Sequence, residues 1–383
     1  MKRWLSAVTV LALVVAACGG AETDAQALAD NCEAGETDGD LILYNWTEYT
    51  PTDPLAAEFG VIDFIAEFER LYPDVEVIYT EYPSNEDMLA QVEAGVSYDV
   101  VHPSDYMVSI MNSEDLLVKL NRDAIPNFAN IDPAFADPGY DAGNAYSAPY
   151  QWGTTGIGYR YDAIDDSEGV SWAVMFEPDQ SAANAGKISF LNDERETLGA
   201  ALIYLGYSLN TKNQVELDEA VELIRAASVN VATFTSSGYW DLLTAGDTDV
   251  AMGWNGDFLV AYDEYDLTEP EVSAYDIWGY AIPIEGAAAW VDTMAIPHNA
   301  EHPCTAHAYL DMVLDAEMGA ELTHYNYYAS PNLAAEEFID PDYLADPFIY
   351  PPKEMLTDGS LEFFEDLGTF TDNYTDAFAR AKG

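Results

Sequence analysis

Leu41-Ile42-Leu43-Tyr44-Asn45-Trp46-Thr47-Glu48-Tyr49 is an apolar run that stops abruptly in a polar, aromatic cluster. Its first residues are mostly apolar and too few for a helix, which predicts a parallel strand covered on both faces. The residues that follow then lie at the strand's carboxyl end. In open α/β sheets ligands bind at that end, so Trp46, Thr47, Glu48 and Tyr49 become candidates for contacting something small. A plain strand-to-loop turn with a packed Trp is the competing reading, because fold position alone does not define a function.

Downstream of this stretch the chain alternates. Asp63 to Leu71 has helical apolar spacing, and Pro73 stops it before a strand expected over Val75 to Tyr79. Ser84-Asn85-Glu86-Asp87 opens a second helix with a capping pattern, ended by Gly95. Tyr98-Asp99-Val100-Val101 is another short strand, which delivers His102-Pro103-Ser104-Asp105-Tyr106 to the same sheet edge as the first cluster. Strand, helix, strand, helix, strand is the βαβ rhythm of a parallel sheet.

Upstream, Met1-Lys2-Arg3 is a short positive region, Trp4 to Val15 is apolar, and Val15-Ala16-Ala17-Cys18 has the small residues of a cleavage site. The apolar run is short of the ~20 residues that cross a bilayer, so it reads as a secretory signal over residues 1–17. Cys18 after the small residues resembles the bacterial lipobox. That resemblance implies a lipidated first residue anchored to the outer face of the cytoplasmic membrane, with residues 18–39 as a flexible tether. If Cys18 carries lipid, Cys32 and Cys304 remain as an even pair in an oxidising compartment, which suggests a disulfide; two buried free thiols are the alternative.

Charge separates the partner classes. The 383 residues include 69 acidic and 13 basic side chains, a net charge of −56. Phosphate binding needs clustered Lys and Arg, so a nucleic-acid partner is excluded. The carboxylates outnumber what any site uses. Most of them therefore read as a solubilising acidic surface rather than as recruitment of a cation.

Tyr44-Asn45-Trp46-Thr47-Glu48-Tyr49, Tyr98 to Tyr106, Pro149-Tyr150-Gln151-Trp152-Gly153 and Ser330-Pro331-Asn332 together resemble the polyamine-binding proteins of bacterial transporters, from Leu41 to the carboxyl terminus. These are the extracytoplasmic spermidine- and putrescine-binding components of ATP-driven importers. The resemblance implies a two-lobed α/β fold of the type II periplasmic-binding class, each lobe a mostly parallel sheet flanked by helices, with hinge crossovers. The first lobe would comprise residues 40–148 and 293–326, the second 149–292 and 327–383. The ligand would be putrescine or spermidine, and the further partners would be membrane permease subunits. The protein would be a monomer without a cofactor.

Residue by residue, the resemblance places Trp46, Tyr106, Trp254, Trp290 and Tyr328 as an aromatic box. Asp193, Glu196, Asp257 and Asp292 become end anchors, with Thr47, Glu48, Tyr49 and Ser104 as polar contacts. Such a set fits ammonium groups separated by methylenes. A desolvated ammonium on an aromatic face gains up to ~2 kcal/mol, and each charged hydrogen bond contributes about 1.5–3 kcal/mol. Asp193 and Glu196 also read as a helix-capping pair, and the two roles are compatible. Asp257 follows the putrescine-binding pattern, whereas Trp46 to Tyr49 follows the spermidine-binding one. A family Gln falls near Phe364 here, so the length of the ligand stays open.

Other chemistries are less well served. No Gly-x-x-x-x-Gly-Lys-Ser/Thr occurs, so nucleotide hydrolysis belongs to another subunit. Neither Gly-x-Ser-x-Gly nor His-Glu-x-x-His is present, and His298, His302 and His307 read as surface or capping residues rather than zinc ligands; the chain does not read as an enzyme. The nearest competitor is a ferric-ion carrier of the same fold class, using the Tyr327-Tyr328 pair. Calcium binding lacks the spaced Asp-x-Asp-x-Asp-Gly loop.

Overall fold

A computed structural model describes residues 25–269 and 271–383. The expected signal and Cys18 lie outside the described residues. The strands are β1 (Leu41–Trp46), β2 (Val77–Tyr82), β3 (Val100–Val101), β4 (Ser147–Arg160), β5 (Ile188–Phe190), β6 (Val231–Phe234), β7 (Val250–Trp254), β8 (Trp278–Ala281), β9 (Ala287–Ala295) and β10 (Leu361–Phe363). They form a ten-stranded sheet in the order β2-β1-β3-β9-β4-β7-β5-β6, with β10 on β9 and β8 on β4.

β1 does what its composition asks. Leu41 and Leu43 are fully buried, and the strand runs parallel between β2 and β3. The helix Phe64–Leu71 between β1 and β2 is capped by Asp63, whose carboxylate accepts from the Ala66 N–H at 2.9 Å, and it buries Phe64 and Phe68 on one face. Asn85–Glu93 is capped by Ser84 in the same way.

Two parallel groups, β2-β1-β3 and β7-β5-β6, are joined by the long antiparallel pair β4 and β9. Near Ser147 and Ala295 this pair belongs to the first group; beyond Thr155, β4 pairs with β7 and β8 instead. The two-lobed architecture follows from these shared strands. The expected parallel sheets are thus each closed by antiparallel crossovers. β4 tolerates the crowding because its glycines leave room: a Cβ on Gly158 would meet the Phe258 ring at 2.3 Å, and one on Gly156 the Ala281 carbonyl at 2.3 Å.

Two segments pack in ways that composition alone does not show. Within the expected tether, residues 25–39 are docked. The short helix Ala25–Ala29 buries Ala25 and Ala29, Gln26 exchanges hydrogen bonds with the Lys119 backbone, and Asp38 accepts from the Thr305 N–H and hydroxyl. The Cys32–Cys304 disulfide fixes this strap to the helix Pro303–Val313. Composition read it as loose because its partner helix is remote in sequence. Residues 331–339 are likewise held by elements earlier in the chain: Asn332 donates to the Leu314 carbonyl at 2.9 Å and bridges Ile131, and Ala335 and Ile339 cluster with Ala320. Apolar contact with the helix Ala316–Asn326 decides the side they take.

Candidate functional site

A cavity of about 350 Å³ opens where the carboxyl ends of β1, β3 and β7 meet β9. All the expected ligand residues line it: Trp46, Thr47, Glu48, Tyr49, Ser104, Tyr106, Asp193, Glu196, Trp254, Asp257, Trp290, Asp292 and Tyr328. They arrive from separate elements. Trp46 ends β1 and Trp254 ends β7, and their rings meet edge-on at 6.4 Å between the two parallel groups. Trp46 is oriented by its indole N–H, which donates to the His102 carbonyl at 2.9 Å. Trp290, from β9, stands edge-on to Tyr328 at 4.9 Å.

The carboxylates between these rings are held by hydroxyls. Asp292 accepts from Ser104 Oγ at 2.6 Å and from the Tyr49 phenol at 2.9 Å. Asp257, in the first turn of the helix Asn255–Thr268, accepts from the phenols of Tyr239 and Tyr328, each at 2.6 Å. Glu196 accepts from the Trp254 indole at 2.9 Å, while its Oε2 is buried and finds no partner among the described residues. Asp193 caps the helix Glu194–Tyr204, accepting from the Arg195 and Glu196 N–H groups, and its side chain also forms part of the cavity wall. The capping role read from the sequence is present, in a side chain that also faces the cavity.

Burial governs the electrostatics. Desolvation pushes Asp257 and Asp292 up to about 6, against the lowering pull of their hydroxyl donors. Glu196 is pushed up by burial and then by the neighbouring Asp193 charge. A cation placed between these groups relieves the penalty, because it supplies the charge that burial removes.

Several lining residues were not foreseen. Arg195 is buried, and its guanidinium lies over the rings of Tyr106 and Phe364 at 5.0 and 5.1 Å. Trp240 and Asp241 reach the cavity from the helix Tyr239–Thr244. Glu86 accepts from the Tyr106 phenol at 3.2 Å behind the wall. Of these, Glu86 alone had a usable signal, since it opens a helix close to the sheet edge that carries Ser104 and Tyr106.

The tyrosine pair of the ferric-ion reading is split. Tyr327 takes the left-handed conformation, φ 59°, so neighbouring side chains diverge. Tyr328 donates to Asp257 in the cavity; Tyr327 donates instead to Asp263, on another part of the same helix. His302 and His307 are engaged structurally, His302 against Asp99 and His307 between the Pro303 carbonyl and the Asn121 N–H.

A family model described as bacterial extracellular solute-binding protein matches residues 63–349. A spermidine/putrescine-binding periplasmic protein of Salmonella typhimurium is 32% identical over 100% of this chain and 99% of its own length. The putrescine-binding periplasmic protein SpuD of Pseudomonas aeruginosa is 34% identical, over 85% of this chain and 87% of its own. Among solved structures, the TpPotD lipoprotein of Treponema pallidum superposes with a TM-score of 0.73 at 31% identity, covering 90% of this chain and 99% of that one.

Proposed function

This chain belongs to the bacterial extracellular solute-binding proteins, and on that premise we propose that it captures a polyamine, putrescine or spermidine, between its lobes and delivers it to an ATP-driven importer. One observation carries the reading. Asp257 and Asp292, each clamped by two hydroxyls, are set among the rings of Trp46, Trp254, Trp290 and Tyr328 in a single cavity. Ammonium groups pair with the carboxylates, and the methylenes lie on the rings. Glu196 Oε2 supplies a further acceptor. No group in the cavity is asked to make or break a covalent bond with the ligand; the protein binds and does not turn over its ligand.

The lobes we assign are residues 40–148 with 293–326, extended by 331–339, and 149–292 with the remainder of 327–383. Ligand bridging both favours the closed form, which docks on the permease subunits. Export by the amino-terminal signal and lipid attachment at Cys18 keep the monomer at the outer face of the cytoplasmic membrane. Among the described residues no helix is long and apolar enough to cross a membrane, so on this reading the anchor is the lipid.

Calorimetric titration of the chain with putrescine, spermidine, spermine and a sugar tests the proposal, repeated on Asp292→Asn. One-to-one binding of an amine, weakened at least about thirtyfold in the variant, is the expected result, since truncating a buried charge pair costs roughly 2–5 kcal/mol. Sugar binding without amine binding would overturn it.

A further inference from the structure

The cavity gathers acid from every side, Glu196, Asp292 and Asp105 buried and Asp193 and Asp257 half-buried. Asp193, Glu196, Asp257 and Asp292 line it, and Asp105 lies fully buried behind Ser104 and Tyr106, bonded to the backbone N–H of Val291 at 3.3 Å. Glu86 and Glu194 border the Asp193 side, from the helices Asn85–Glu93 and Glu194–Tyr204. Opposing this set is the guanidinium of Arg195. Its hydrogen bonds go to Asn210 Oδ1 at 2.9 Å and the Glu365 carbonyl at 3.2 Å, and its face to Tyr106, Phe364 and Tyr374, so it offers no carboxylate a hydrogen bond. Lys382, the other cation near this side, is exposed and donates to Asn192 Oδ1.

Buried carboxylates without a paired cation do not stay ionised together, because each charge raises the cost of the next. Glu196 states the problem most sharply. One oxygen takes the Trp254 indole N–H; the other, fully buried, makes no hydrogen bond of normal geometry among the described residues, and the Thr155 hydroxyl beside this carboxyl is likewise buried and unpartnered. A proton on that oxygen removes the charge, and so does an ammonium group beside it.

We propose that the ligand-free protein carries protons on its cavity carboxylates, with Glu196 foremost, and that an arriving organic dication displaces them, so that capture is an exchange of H⁺ for ammonium. This rests on the polyamine reading. The balance is simple: the carboxyl O–H gives its proton to the buffer, and the freed carboxylate accepts an N–H from the ligand ammonium. Affinity then rises with pH, by about tenfold per pH unit for each proton displaced, and levels off once the cavity carboxyls have ionised in the ligand-free protein.

The test is calorimetry of the full chain with putrescine in phosphate and in Tris at one pH near ~7. Apparent heats that differ by the buffers' ionisation heats, equivalent to about one proton released per ligand, are expected. Glu196→Gln should bind putrescine more weakly, release fewer protons and flatten the pH profile. An infrared difference spectrum should show a protonated-carboxyl band that disappears on adding putrescine to the parent protein. Equal heats in both buffers with putrescine bound, or a variant whose proton release matches the parent's, would overturn the exchange. No heat with putrescine, spermidine or spermine would overturn the polyamine reading and the exchange with it. A protonated-carboxyl band in the ligand-free parent, absent from Glu196→Gln, would in that case leave the protonated cavity standing.

Discussion

Tyr328 shows how one side chain serves two purposes at the site. Its phenol donates to Asp257 at 2.6 Å while its ring packs edge-on against Trp290 and Tyr49. Tyr328→Phe keeps the ring and removes the donor. On our reading putrescine binding should weaken about three- to tenfold, the worth of one hydrogen bond of 0.5–1.5 kcal/mol, as read by calorimetry. Asp257 would also hold its proton to higher pH, so the loss should be larger at pH 6 than at pH 8. The aromatic and acidic residues that line the cavity were singled out by the resemblance to polyamine-binding proteins, with the aromatics also recurring at strand ends, where an α/β sheet exposes its ligand edge. Arg195 was not, because within Asp-Glu-Arg-Glu it looks like one more first-turn residue of a capped helix. Its burial depends on Phe364 and Tyr374, which lie far along the chain from it.

At the scale of elements, β4 is the part least forgiving of change. It is buried through nearly its whole length and is hydrogen-bonded to β9, β7 and β8 in turn. Gly158→Ala should destabilise the fold by about 1–3 kcal/mol, read from urea unfolding, because the added methyl must displace the buried Phe258 ring. The short capped helices were legible from local chemistry; the reach of β4 through both groups of strands was not, since nothing local distinguishes a crossover from an ordinary strand. The strap is a second case. The Cys32–Cys304 bond closes a separation of 272 residues, and replacing both cysteines with serine should cost about 2–5 kcal/mol while making residues 25–39 an early site of proteolysis. Pairing was inferred from cysteine arithmetic. The docking of Ala25–Ala29 was not, because two alanines on a short helix carry almost no signal without the surface that receives them.

The whole molecule carries a net charge of −56, yet the acid that most ties its folding energy to pH lies inside the cavity, Asp292 buried and Asp257 half-buried. Asp257 and Asp292, pushed up to about 6, keep protons that the unfolded chain releases at lower pH. Their contribution to stability is therefore full below the ordinary carboxylate range and is lost as pH rises through about 6. The ligand-free protein should be less stable to urea at pH 8 than at pH 5, by about 1.4 kcal/mol for each such carboxylate. Saturating putrescine should shrink that difference, because the bound dication offsets the buried charge that burial penalises. The strap bears on how the protein is made. In a reducing cytosol its two thiols would stay apart, and a recombinant preparation would mix bolted and unbolted molecules that differ in stability. Routing expression through the secretory pathway of the host gives one species, and a quantitative thiol count belongs ahead of every binding measurement.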